Sequence, residues 1–294
     1  MPTPDLLVRP ARRRWPDYLF AGAAALCAAI ALGVLLWVIL AIVTRGFPAL
    51  SWQFLTEQIR LVGAEGGIFY NLVGTLILIA TAACVATPVA LGIALVRAVY
   101  LTGDRAKRAL DLILYTLNGV PSILFGIAGL IVFVKYLGWG KSWLSGGMLL
   151  GVMILPTVTV ALVERIKVLP AKYVEAARGL GLRRSQVIRS VILPQSIGGL
   201  LTGMLLGLAR AAGETAPIMF TATIFAGATL PGGVRESPVL SLPYHIFNLA
   251  QDSFDPGVAG KVWGTATVLL ILVFLLSAIA LPVRLRVHEE ARHG

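Results

Sequence analysis

Six apolar runs, most of them long enough to cross a lipid hydrocarbon core as a helix, punctuate a chain of 294 residues. No water reaches that core to satisfy backbone N–H and C=O groups, so runs of this length fold as membrane-spanning helices. The runs are Tyr18–Thr44, Ile68–Val96, Leu112–Val134, a shorter one at Gly147–Val163, Ile197–Phe225 and Val262–Val283. Pro88 predicts a kink in the second, and Pro156 lies in the fourth. The organisation expected is an all-α integral membrane domain over 18–285, between a tail at 1–17 and a second tail at 286–294. Arg9, Arg12, Arg13 and Arg14 before the first run resemble the start of a signal peptide. The run that follows is too long for a cleaved leader and is read as a retained first span.

Only 13% of the residues are charged, against about 25% in soluble domains, and the mean hydropathy is +0.86. A net charge of +11 would ordinarily raise the question of nucleic acid. Here the charges flank the apolar runs and alternate by side, which is a topology signal and excludes that partner. Cys27 and Cys84 lie inside apolar runs and are expected as buried small hydrophobes with no disulfide. His245, His288 and His293 have no metal-ligand spacing, and no metal site is expected.

The loops divide the basic residues unevenly. The N-terminus, the loops after the second and fourth runs, and the C-terminus hold 18 of the 25; the opposite side holds six, and Arg210 lies within a run. That asymmetry predicts both termini and the long basic loop in the cytoplasm, which an even number of spans permits.

The basic loop, 164–196, leaves the apolar phase between the fourth and fifth runs. Around its centre, Glu175 to Pro194, Val174, Ala177, Leu180, Gly181 and Leu182 give a small-to-apolar stripe at helical spacing, with Gly179 and Gly181 free to make a tight turn. Taken alone, such a basic amphipathic segment could rest on lipid headgroups. Glu175-Ala176-Ala177, then Gly181 after three residues, then Val191-Ile192-Leu193-Pro194 after nine, resembles the EAA loop of the integral-membrane subunits of ABC importers, with Val191 in place of the usual isoleucine. The resemblance implies a type I permease fold. It also implies that Glu175, Ala176, Ala177, Gly181, Leu193 and Pro194 belong to a coupling helix docking on an ATPase subunit, with Pro194 restarting the next span.

Arg210 and Glu214 stand near the middle of the fifth run. A mid-bilayer charge costs about 2.5–3.5 kcal/mol on insertion scales, and such residues are functional by default. Four residues apart, the two share a helix face and can pair. Gly213 and Pro217 favour local unwinding there, which is tolerated where backbone lines a cavity. One reading is a structural ion pair between helices. The other is an anion path: the guanidinium presents a planar fork to an oxyanion, and Glu214 neutralises it when the path is empty. The segment Arg210-Ala-Ala-Gly-Glu-Thr-Ala-Pro217, together with Asn118-Gly119-Val120-Pro121-Ser122-Ile123, resembles the A-subunit (PstA) family of phosphate-specific ABC importer permeases. That resemblance, not the spacing, supplies phosphate as substrate and assigns Arg210, Glu214 and Thr215 to its path. It implies a multi-pass protein of the bacterial inner membrane. It implies as partners a second permease, two ATP-binding subunits, an extracytoplasmic phosphate-binding protein and membrane lipid.

Gly140-Lys141-Ser142 looks like the end of a P-loop, but Lys135 stands where the pattern needs its first glycine. ATP is therefore expected on other subunits, with no cofactor and no catalytic residue in this chain. The alternatives are a permease for another oxyanion such as sulfate or molybdate, an intramembrane enzyme, which would need a catalytic set at matched depth, and a passive channel, which has no use for a docking helix.

Overall fold

The computed structural model describes residues 14–60, 65–101, 103–224, 227, 230–251 and 256–293, with 14–17, 256–257 and 280–293 described through their backbone alone. The first thirteen residues, with Arg9, Arg12 and Arg13, lie outside the described residues, as does the expected end of the fifth span at Phe225. The described chain is a helical bundle with one small hairpin. Five helices are long and apolar enough to cross a membrane, and a sixth crossing results if one bent pair is counted as a span.

Helix α1 (Arg14–Gly46) carries the first run and exposes most of its apolar side chains, leaning on the last helix, α12 (Pro256–His293). Where they meet, Thr267 donates to the carbonyl of Ile42 at 3.0 Å. Past Gly46 a 3-10 turn and α2 (Trp52–Thr56), capped by Ser51 Oγ accepting from Phe54 N–H, lead into a two-stranded hairpin. Its strands, β1 (Ile59–Arg60) and β2 (Glu65–Gly66), pair antiparallel with Ile59 opposite Gly66.

The centre is built by α3 (Phe69–Leu95) and α6 (Trp143–Lys167), which cross closely because α6 offers glycine where α3 offers bulk. A Cβ on Gly151 would come within 2.9 Å of Val85. Pro88 sits inside α3 without ending it. Helix α9 (Leu193–Gly213) packs on α6 and also touches α3; a Cβ on Gly203 would lie 2.9 Å from that of Ala161. Close backbone approach of this kind supplies van der Waals packing where lipid removes the usual hydrophobic drive.

Two spans differ from the sequence expectation. The third is not continuous: α4 (Asp104–Gly119) and α5 (Ser122–Gly129), prolonged by a π turn to Tyr136, meet at 95°. Proline disfavours helical backbone at the residue before it, and Val120 and Pro121 are both extended, with ψ of 131° and 135°. The fifth span does not restart at Pro194. Helix runs without interruption from Arg184 to Gly213, through α8 (Arg184–Val187), a π turn over Ile188–Ile192, and α9. Pro194 cannot donate to, and would collide with, the carbonyl one turn back. The wider π turn just before it takes up the misfit.

Cys27 and Cys84 are both exposed on the surface of the bundle, correcting the expectation of burial. In lipid an apolar side chain gains little by facing inward, so hydropathy does not tell the core from the lipid-facing surface.

At the end of the bundle opposite the basic loop, α11 (Leu242–Gln251) packs across α3 and α12. Thr75 Oγ1 accepts from Leu242 N–H at 2.9 Å, and Asn71 Nδ2 donates to the Ser241 carbonyl. Burial, then the charge of Lys261, push the His245 imidazole down to about 4, so it is neutral at pH 7. Gly140-Lys141-Ser142 joins helices here: Ser142 caps α6 by accepting from Ser145 N–H, and Lys141 Nζ donates to the Met219 carbonyl at 3.1 Å.

Candidate functional site

Helix α9 ends where its charges begin. Arg210 lies in its last turn, a position the helix dipole favours for a cation. Glu214 is the C-cap, extended at ψ 129°, its N–H donating to the Ala211 carbonyl. Thr215 precedes α10 (Ala216–Thr221) without capping it through its side chain. The fifth run is therefore a broken helix, and the break carries the ionisable pair. Arg210 Nε donates to Glu214 Oε1 at 3.4 Å, a long contact for an ion pair.

The other broken helix supplies a partner. Asn118, one residue before the end of α4, accepts through Oδ1 from Arg210 Nη1 at 3.1 Å and from Thr157 Oγ1 of α6 at 3.0 Å. Helices α5 and α10, which follow the two breaks, pack at Gly126, where a Cβ would meet Phe220 at 2.8 Å and the Ala216 carbonyl at 3.1 Å. Thr157 lies 14 residues from the start of α6 and 10 from its end, about 21 Å and 15 Å along the axis. The cluster thus sits near the middle of a spanning helix. It is open on one side: Asn118 is exposed, Arg210 and Glu214 keep 32% and 15% of their side-chain surface, and a Cβ on Gly119 or Gly213 would meet nothing within 4 Å. A cation with spare N–H donors, at mid-membrane depth and facing open space, can hold an oxyanion.

Among the other residues expected in function, Glu175, Ala176 and Ala177 lie on α7 (Ala171–Gly179), which ends in a Schellman motif. Leu182 N–H donates to the Ala177 carbonyl at 3.2 Å, Gly181 N–H to that of Arg178 at 2.9 Å, and Gly181 takes φ of +76°. The spacing from Ala177 to Gly181 is thus the spacing from the third-last helical residue to the left-handed residue that ends the helix. Ala177 is buried with Val187 and Ile192 against Leu95, Val99 and Ile166 at the ends of α3 and α6. Glu175 and Ala176 face outward, Leu193 is half-buried, Pro194 is exposed, and Leu180 projects from the tip 81% exposed. Behind the knob is a cavity of about 200 Å³, floored by Val99, Ile166 and Ile192 and edged by Arg178 and Arg184.

Sequence reasoning missed Asn118 and Thr157 as members of the cluster. It also missed a bidentate pair, Arg97 to Asp111 at 2.8 and 2.7 Å, which ties the end of α3 to α4. An asparagine ahead of a Gly-x-Pro break, and a lone aspartate entering an apolar run, were the available signals. Among the described residues, no group of three or more His, Cys, Asp or Glu is placed to hold a metal.

Residues 86–287 match the family model described as binding-protein-dependent transport system inner membrane component. The chain belongs to that family. It is therefore a multi-pass inner-membrane component of an ABC transporter, which works with other subunits, and EAA loops with coupling helices are typical of such members. It is 31% identical over 268 residues to the phosphate transport system permease protein PstA 2 of Mycobacterium bovis, covering 91% of this chain and 87% of the relative. It is 33% identical over 264 residues to the probable phosphate transport system permease protein PstA of Methanocaldococcus jannaschii, covering 87% and 88%. The inward-facing MetNI methionine ABC transporter shares the fold of this family member, with a TM-score of 0.56 at 17% identity over 75% of this chain and 94% of that one.

Proposed function

We propose that this permease conducts inorganic phosphate across the membrane as half of the path of an ATP-driven importer, a second permease supplying the other half. The observation that carries the reading is the open cluster of Arg210, Glu214, Asn118 and Thr157 near the middle of the bundle. Facing lipid it would be costly; facing a second subunit it lines a shared, water-filled route. The names of the relatives, phosphate transport permeases from a mycobacterium and an archaeon, support phosphate over sulfate or molybdate.

In the empty path Glu214 neutralises Arg210 through a long contact. An arriving oxyanion competes for the guanidinium while the carboxylate repels it, so binding is weak enough for release. Thr215, next to Glu214 in the break, is the third residue of the proposed path. The chain performs no chemistry itself. One of two ATP-binding subunits receives the α7 knob on the cytoplasmic side, where both termini also lie, the other serving the second permease, and an extracytoplasmic binding protein delivers phosphate to the opposite face. Closure of the motors moves the knob, and with it the ends of α3 and α6 on which Ala177 is packed.

The test is labelled-phosphate uptake into vesicles carrying the assembled transporter. Arg210→Ala is expected to lower uptake by about tenfold or more, the loss of one charge-assisted contact. Unlabelled sulfate and molybdate are expected not to compete. Undiminished uptake by Arg210→Ala removes the residue from the path, and strong competition by sulfate reassigns the substrate.

A further inference from the structure

The geometry points to Asn118 as a second anion-contacting residue of the path, donating through its amide nitrogen beside Arg210. The inference rests on the reading of Arg210 as part of that path. Its basis is the orientation of the carboxamide. A guanidinium carries only donors, so the amide atom facing Arg210 Nη1 at 3.1 Å must be the oxygen. Thr157 Oγ1 donates to the same oxygen at 3.0 Å. With Oδ1 held by two donors, the orientation of the amide is fixed by chemistry. Nδ2 is then turned away from Arg210, and among the described residues it has no acceptor. Asn118 is nevertheless exposed and flanked by Gly119, beside which there is open space.

Arg210 has donors left as well. Of its five N–H groups, Nε is used toward Glu214 and one on Nη1 toward Asn118. Unused donors therefore remain on both residues, one set charged and one neutral, near the middle of the membrane, with open space beside Gly119 and Gly213. A tetrahedral oxyanion has acceptor oxygens for both. A neutral donor adds contacts without adding charge, which lets the site recognise an anion without trapping it. Thr157 is a positioning residue here, since its hydroxyl is spent on the amide oxygen whose orientation it fixes.

Two variants separate this role from that of a structural brace. Asn118→Asp is isosteric and keeps the oxygen that accepts from Arg210 and Thr157, but it replaces the NH2 group with a second carboxylate oxygen. A brace keeps its acceptor here and fails only through the new charge, which pairing Asn118→Asp with Glu214→Gln offsets by holding the net charge constant; a donor to an anion stays lost in that pair as well. Asn118→Ala removes the donor without adding charge. In vesicles carrying the assembled transporter, with partner subunits verified by copurification, each is expected to lower labelled-phosphate uptake by about tenfold, with aspartate the more severe. Uptake within twofold of the parent by Asn118→Asp, alone or paired with Glu214→Gln, assigns Asn118 to bracing and overturns the proposal. Loss in Asn118→Asp with normal uptake in Asn118→Ala marks an added carboxylate capturing Arg210, and overturns it too. Arg210→Ala, measured alongside, keeps the two readings distinct. If it loses uptake while both Asn118 variants transport normally, the path stands and Asn118 leaves it. If it transports normally, the path reading falls and this inference with it.

Discussion

Gly181 shows how much function a single backbone conformation can carry. Its φ of +76° ends α7, aims Leu182 back at Ala177, and so fixes the shape of the knob proposed to dock on a motor subunit. A side chain is costly there because the left-handed region crowds Cβ, by about 1–2 kcal/mol. Space is not the obstacle, since a Cβ on Gly181 would meet nothing within 4 Å. Gly181→Val is therefore expected to reduce recovery of the ATP-binding subunits with this chain in a pull-down, while Gly181→Asn, a residue that tolerates this conformation, retains most of it. Equal recovery by both would detach the turn from docking. This residue was legible in advance because a Schellman motif is a local code, written within six consecutive residues. Arg210 and Glu214 were legible for a different reason, as charges that an apolar run gives no cause to expect. Asn118 was not, because its meaning depends on a residue 92 positions away.

At the scale of elements, the informative places are where helices fail. The α4–α5 break, the π turn before Pro194 and the unwound Glu214–Thr215 step each follow from a proline or glycine that regular helix cannot absorb. Apolar run length located the candidate crossings, five or six by how the bent pair is counted, and Gly213 and Pro217 foretold the unwinding beside Glu214. The α4–α5 bend was not foreseen, because hydropathy averaged over a window takes no account of Pro121 or of the direction the chain leaves it. One strut joins the breaks to the knob. Arg97, just past the end of α3 beside Leu95 and Val99, grips Asp111 of α4, and Asn118 stands in the last turn of α4. The pair is mostly sheltered, with side chains 11% and 28% exposed. Asp111→Ala leaves Arg97 without this partner and is expected to destabilise the purified complex by about 2 kcal/mol, between the values for surface and buried pairs. Replacing both residues, Arg97→Met with Asp111→Leu, is expected to recover much of that loss in a thermal unfolding measurement. If the double variant melts as early as the single one, the pair is not what joins α3 to α4.

For the whole molecule, the basic loops and the fold make one joint statement about orientation. The α7 knob and the α11 end lie at opposite ends of the bundle, and the basic residues collect around the knob. A membrane-impermeant thiol reagent applied to intact cells is therefore expected to label a cysteine placed at Gln251 and to spare one at Arg189 until the membrane is opened. Both positions are exposed, so the reverse pattern would invert the topology. Cys27 and Cys84 are exposed on spanning helices too, so the chain without either introduced cysteine is the blank for this labelling. Leu180 carries a last consequence. On the proposed docking of the knob to a motor subunit, a bulky hydrocarbon group held 81% exposed at its tip is covered by assembly. On that reading, copies made in excess of that subunit leave it bare, and the abundance of the proposed importer is expected to follow its scarcest component.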